Sequence, residues 1–252
     1  MSNPQAGAPD LVGRAHGASP SLRPSFVMEP VMPETLSSLF GALIAERERS
    51  WPVEQLARNV AQRRQLMKRF DPAGVIQPGS RLPPFLLTDI EGGAITTPDL
   101  IEGRPHVLLF FRYAECPACS IALPHYAKTL WPELERRGIG LIAISPQVPE
   151  RLHAIKERFA LPFPVASDGG NRLARAIGIL FAPDEQPDPP PLGWPGEITG
   201  TGTWELPQPT VLVLDGEGIV RSVAVSPDWL DRPEAEDILA AVDTVFARNI
   251  AA

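Results

Sequence analysis

The spacing of apolar positions changes character several times along the chain. Residues 1–33 carry Pro, Ser, Gly and Ala with no period, which predicts a disordered tail. Over 35–48, Leu36, Leu39, Phe40, Leu43 and Ile44 recur at helical intervals and predict an amphipathic helix. A second helix is predicted to run to about Phe70, with Ser50 as its cap and Pro52 in its first turn. Its Arg58, Arg63, Arg64, Lys68 and Arg69 read as a solvated face, with a partner-binding patch as the sharper alternative. Asp71–Gly79 reads as a Pro/Gly linker. Residues 34–78 thus form a helical extension and linker, an appendage packed on the main domain or a dimerisation element, and 79–252 form that domain.

Within 79–252 the period shortens. Phe85–Thr88 predicts a strand, followed by a turn at Glu91-Gly92-Gly93. His106–Tyr113 is a near-continuous apolar run, as expected of a strand buried on both faces. A helix is predicted over Pro117–Arg137, interrupted at Pro124 and ended by Gly138. Further strands are expected at Ile139–Ser145 and Phe163–Ala166, and further helices at Glu150–Phe159 and Asn171–Ile177. This alternation predicts an α/β domain with parallel pairing. Residues 183–200, with six prolines, read as a surface excursion without regular structure. Thr210–Leu214 and Ile219–Val225 flank Asp215-Gly216-Glu217-Gly218 and predict a hairpin. A last helix is expected from Pro233 to Arg248, with Ile238, Leu239, Val242, Val245 and Phe246 on one face.

Composition narrows the chemistry. The chain has 252 residues, 44% of them hydrophobic, and a net charge of -7. An acidic total disfavours nucleic acid and anionic membranes as partners. No window reaches the roughly 20 apolar residues of a membrane helix. Met1–Val31 has no apolar segment after a basic one, so the cytoplasm is the expected compartment. Two cysteines are too few for a secreted disulfide scaffold. A structural zinc site needs four ligands, and His16, His106, His125 and His153 are scattered, so no metal or organic cofactor is expected.

Those two cysteines lie in Glu115-Cys116-Pro117-Ala118-Cys119, directly after the buried strand and at a helix start. A strand end puts a thiol on the rim of the sheet, and a helix N-terminus offers free N–H groups and a positive dipole end that favour a thiolate. The thiolate is the reactive form, and the spacing lets Cys119 close a disulfide with Cys116. Buried filler cysteines are the bland alternative, and this placement argues against it. Leu206-Pro207-Gln208-Pro209-Thr210 precedes an apolar strand. Beside a CxxC it predicts a cis-proline loop, Pro209 with it, that offers the Gln208 backbone to a substrate; an ordinary strand-entry proline is the alternative. Tyr113 is a candidate hydrogen-bond donor. Arg112 and Glu115 are candidate modulators: the arginine would stabilise a thiolate, and the carboxylate would oppose one or relay protons.

Gly79-Ser80-Arg81-Leu82-Pro83-Pro84-Phe85, Phe110 through Cys119, and Trp204-Glu205-Leu206-Pro207-Gln208-Pro209-Thr210 together resemble the peroxiredoxin-like AhpC/TSA branch of the thioredoxin superfamily. The resemblance covers more than half of the chain. It implies a thioredoxin-like α/β fold, a central mixed sheet flanked by helices. Cys116 is then the peroxidatic and Cys119 the resolving cysteine. The substrate is a peroxide or a protein disulfide, recycled by a thiol reductant such as thioredoxin or glutathione, with a homodimer as one assembly. Two departures stand out. Leu109 and Tyr113 occupy the Pro and Thr/Ser positions ahead of the peroxidatic cysteine, and Pro209 stands where an Arg opens the later strand. The chain thus reads as a hybrid of peroxidase and thioredoxin-like disulfide exchanger. A redox-sensing binding protein with little turnover, and a non-catalytic scaffold, are the readings of other classes.

Overall fold

The structure is a computed structural model that describes residues 34–100 and 103–250. The tail over 1–33 and the side chain of Phe246 lie outside the described residues. Residues 34–252 group as one compact unit.

Two helices come first, α1 (Leu36–Ser50) and α2 (Val53–Arg69). Thr35 caps α1 through its hydroxyl, which accepts from the Ser38 N–H at 3.1 Å. The Glu234 carboxylate accepts the next two free donors, Leu36 N at 3.0 Å and Ser37 N at 2.9 Å. Ser50 does not cap α2. It closes α1, and its hydroxyl donates to Glu46 Oε1 at 2.7 Å, while Pro52 takes the cap position of α2. A proline there has no N–H to leave unsatisfied. Nor is the basic face of α2 wholly solvated: Arg63 grips Asp228 in a two-pronged pair at 2.7 and 2.6 Å.

The expected linker is packed. Pro72–Gly74 forms a single 3-10 turn, the Ile76 N–H donates to the Ile177 carbonyl at 2.9 Å, and Val75 is buried. Gly178 allows this approach. Its φ is +77°, and a Cβ there would sit 2.0 Å from the Gly74 carbonyl oxygen.

The remaining elements are β1 (Leu86–Asp89), β2 (Ala94–Thr96), α3 (Thr97–Leu100), β3 (His106–Phe110), α4 (Pro117–Thr129), α5 (Trp131–Arg136), β4 (Gly140–Ser145), α6 (Pro149–Phe159), β5 (Val165–Ser167), α7 (Arg172–Ala176), β6 (Leu180–Phe181), α8 (Pro195–Thr199), β7 (Leu206–Pro207), β8 (Thr210–Leu214), β9 (Val220–Val225) and α9 (Ala235–Ile250). Seven strands make a mixed sheet in the order β2-β1-β5-β4-β3-β8-β9, with β3/β4 and β4/β5 parallel and the other pairs antiparallel. β6 and β7 form a separate pair. Pro124 does not interrupt the helix after the cysteines. The break falls at Leu130, two residues before Pro132, whose ring excludes a continuous helix there. The excursion over 183–200 is not wholly irregular either, since it ends in α8.

Strand periodicity sorts the core into two layers. Val107, Leu109, Leu141, Ala143, Val211 and Val213 pack one face together with α1, α4 and α9, and both cysteines lie in this layer. Leu108, Phe110, Ile142, Ile144 and Leu212 pack the other face, against Val75, Leu173 and Ile177. The run over 106–110 is apolar because β3, flanked by β4 and β8, is buried on both faces.

Candidate functional site

β3 ends at Phe110, and the chain turns through Phe111–Glu115 into α4, with Cys116 at the cap position. The end of β4 holds this turn. Phe111 N donates to Ile144 O at 2.9 Å, and Ser145 Oγ donates to Arg112 O at 3.1 Å. Gln147 finishes it: Oε1 accepts the Ala114 N–H at 2.8 Å, and Nε2 donates to Glu115 Oε2 at 2.9 Å and Ile198 O at 3.1 Å. Glu115 is thereby turned toward α8 and held by an amide. Ser120 Oγ closes the loop on Ala114 O at 3.0 Å.

Both cysteines are free thiols, and both are sealed: Cys116 is 2% exposed and Cys119 0%. They act as one titrating unit. The hydrogen bond between Cys116 and Cys119, then burial, then the Cys119 charge hold the Cys116 thiol well above its ordinary pKa, with Arg112 and Arg232 opposing. Burial also pushes Cys119 up, but the hydrogen bond from Cys116, the Arg232 charge and the Arg112 backbone outweigh it and bring Cys119 well down. The hydrogen bond from Cys116, then the Arg232 guanidinium, whose Nη2 lies 3.6 Å from Cys119 Sγ, draw the pair's negative charge toward Cys119.

Arg112 points into the site despite ending a strand run. It is 8% exposed, and its guanidinium lies 4.4 Å from the Trp229 ring centroid, 5.3 Å from Tyr113 and 5.7 Å from Phe181. This aromatic cage desolvates the charge while its quadrupoles favour it. Tyr113 is one wall of the cage, and burial raises its phenol pKa, so it stays protonated.

The proline loop departs from expectation. Among the described residues the cis peptide is Asp188–Pro189, and the bonds before Pro207 and Pro209 are trans. The Gln208 backbone is not free for a substrate: its N–H donates to Ile179 O at 2.7 Å, and its carbonyl accepts from Thr210 Oγ1 at 2.9 Å. Pro209, with Arg232 and Tyr126, lines a void of about 10 Å³, at the lower limit for one water. A larger cavity of about 670 Å³ lies between α2 and the 182–204 segment and is lined by neither cysteine. Among the described residues no group of three His, Cys, Asp or Glu is placed to hold a metal ion.

Three participants escaped the sequence reading in their roles. Arg232 precedes the last helix and is 113 residues from Cys119. Gln147 sits in a short connection with no motif around it. Trp229, in the connection before the last helix, carries Arg112 on its ring. Nothing in their local pattern marks them, because their partners come from other elements.

The model of the AhpC/TSA family matches residues 78–223. A chloroplastic peroxiredoxin Q of Sedum lineare is 28% identical over 145 residues, 58% of this chain and 67% of that protein. The thiol-disulfide oxidoreductase ResA of Halalkalibacterium halodurans is 32% identical over 115 residues, 45% of this chain and 64% of that protein. The matches thus span about two thirds of these relatives. Among solved structures, the peroxidoxin BcpB of Mycobacterium tuberculosis superposes with a TM-score of 0.52 at 21% identity, covering 68% of this chain and 98% of that one. The peroxiredoxin 6 of Arenicola marina does so with 0.56 at 19% identity, covering 68% and 73%. The fold is that of the thioredoxin superfamily, and the chain belongs to the AhpC/TSA family as a peroxiredoxin-like member.

Proposed function

We propose that this protein is a peroxiredoxin-like thiol oxidoreductase that reduces peroxides through a Cys116/Cys119 thiol–disulfide cycle. The observation that carries the reading is a pair of free, buried thiols three residues apart at a strand-to-helix junction, with the Arg232 Nη2 3.6 Å from Cys119 Sγ.

The cycle balances from the resting state, Cys116 as thiol and Cys119 as thiolate. Transfer of the Cys116 proton to Cys119 creates the Cys116 thiolate. That sulfur attacks the terminal peroxide oxygen; an S–O bond forms, the O–O bond breaks, and the departing alkoxide takes the proton back from Cys119. The Cys119 thiolate then attacks the Cys116 sulfenic acid and releases hydroxide, leaving a disulfide. One external dithiol such as thioredoxin, or two molecules of a monothiol such as glutathione, returns both electrons through a mixed disulfide and leaves as its own disulfide. Cys119 is thus base, acid and resolving nucleophile in turn, and the two guanidiniums hold the negative charge wherever it resides. The cytoplasm, where such reductants are abundant, is the compartment we assign.

A second reading is protein-disulfide exchange. The ResA relative and the Leu109, Tyr113 and Pro209 positions favour it. One experiment separates the two. Reduced wild type and Cys119→Ser are mixed with hydrogen peroxide, and sulfenate is trapped with a dimedone-type reagent. Fast oxidation with the label on Cys116 of the variant supports the peroxidase. Oxidation no faster than free cysteine, together with reduction of insulin disulfides, transfers the assignment to exchange.

A further inference from the structure

The helical extension and the chain beyond residue 223 both lie outside the family match over 78–223, and the structure ties them together. From α2, Arg63 donates to Asp228 through Nε at 2.7 Å and Nη2 at 2.6 Å. Six residues further on, Glu234 accepts the Leu36 and Ser37 N–H groups of α1 at 3.0 and 2.9 Å. The extension thus grips residues 228–234 at both ends.

The stretch between those grips is the one that meets the thiols. Asp228 shapes it: Oδ1 accepts the Leu230 N–H at 3.0 Å, and the Asp228 carbonyl accepts the Asp231 N–H at 2.9 Å. That same Oδ1 takes the Arg63 Nε, so one carboxylate receives α2 and holds the turn. Trp229 carries Arg112 at 4.4 Å from its ring centroid. Arg232 Nε donates to Trp229 O at 3.2 Å, and Arg232 Nη2 reaches Cys119 Sγ at 3.6 Å. The Arg63 and Asp228 side chains are only 17% and 13% exposed, which shields their attraction from solvent. A two-pronged arginine–carboxylate bond fixes orientation as well as distance.

We propose that Arg63 is a positioning residue of the thiol site: through Asp228 it holds the 228–232 turn in the shape that keeps Arg232 at Cys119. Arg232 is the group at the sulfur, and Arg63 acts through it. The charge state of the thiol pair then depends on α2 being docked, which gives the extension a part in the chemistry. The role rests on the Cys116/Cys119 cycle for its purpose, but its test uses reduced protein without oxidant.

The ultraviolet thiolate absorbance is titrated for wild type, Arg63→Gln, Arg232→Gln and the double variant. A cation beside an acid lowers its pKa by about one unit or more, so losing Arg232 should raise the first thiolate midpoint by about that much, a tenfold loss of thiolate at a pH well below it. Arg63→Gln is expected to reproduce about half of that shift or more, with Arg63→Lys recovering part. In the Arg232→Gln background the same change should add less than half of what it does alone, as for two residues acting through one contact. Equal shifts in both backgrounds would mean that Arg63 acts by its own charge or by general loosening, and they overturn the proposal, as does an unmoved midpoint in Arg63→Gln. If Arg63→Gln does not fold, Arg63→Leu/Asp228→Asn takes its place. It leaves no lone buried charge, and the asparagine oxygen still accepts from Leu230. An unmoved midpoint there overturns the proposal too. Hydrogen peroxide is a separate arm: oxidation no faster than free cysteine, with the non-additive shift intact, sinks the peroxidase reading and supports the positioning role. Fast oxidation with an additive shift does the reverse.

Discussion

Phe40→Ala tests whether the helical extension is a structural part of the domain. Phe40 is 2% exposed and belongs to the core layer that contains Cys116, Cys119, Leu123 and Leu134. Truncating a fully buried phenylalanine costs about 3–5 kcal/mol from lost transfer energy plus the cavity left behind. α1 sits at the edge of the domain and can settle partly into the gap, so about 3 kcal/mol is expected. Domains of this size are stable by about 5–15 kcal/mol, so this is a large fraction, equivalent to a fall in Tm of roughly 6–12 °C. The assay is urea unfolding of reduced protein. The midpoint should drop while the slope stays constant, because the same surface is exposed in one transition. Val53→Ala is the control. Val53 is 82% exposed and its loss should stay within about 0.5 kcal/mol. A loss under about 1 kcal/mol for Phe40→Ala, or a separate early transition for the extension, would refute the argument that α1 and the thiol layer share one core.

Arg232→Gln should raise the pKa at which the reduced protein gains ultraviolet thiolate absorbance, because the charge beside Cys119 Sγ is removed; an unmoved titration curve would show that Arg232 does not hold the anion. His106 is 3% exposed and its pKa is lowered to about 4, chiefly by burial, with its Nδ1 against the Arg104 carbonyl at 3.1 Å. The unfolded chain binds this proton near pH 6.5, so between there and about pH 4 the unfolded state holds more protons and stability falls with falling pH, by up to about 3 kcal/mol from this group. His106→Gln should flatten that limb of a urea-midpoint profile, and a profile parallel to wild type would count against it. Gly140→Ala should destabilise by about 1–3 kcal/mol through overpacking, because its Cβ would lie 2.1 Å from the His106 ring; a variant with wild-type stability would mean that the ring swings away at no cost.

Which features the sequence discloses follows from how local their causes are. β3 and β4 are legible because burial on both faces makes continuous apolar runs at 106–110 and 140–145. The Cys116–Cys119 pair is legible because strand end, proline and spacing lie within a few residues. The proline effects misled because they depend on context. Pro124 is accommodated inside α4 whereas Pro132 breaks the helix, and the isomer at Pro209 is set by tertiary packing. Arg232 is illegible as a site residue because it reaches Cys119 from a segment far away in sequence. The pull of Arg232 on the thiol pair is illegible for the same reason: a helix start can be seen in sequence, and a distant guanidinium cannot.

The sealing of Cys116 and Cys119 sets a kinetic ceiling. A sulfur 2% exposed cannot meet an oxidant faster than its cover lifts. At low oxidant the rate rises in proportion to concentration; at high oxidant it levels at the opening rate, the same for every peroxide. Reagents of very different intrinsic reactivity then converge on one limiting value, and that plateau measures the opening of whatever covers Cys116 rather than any bond made or broken at sulfur.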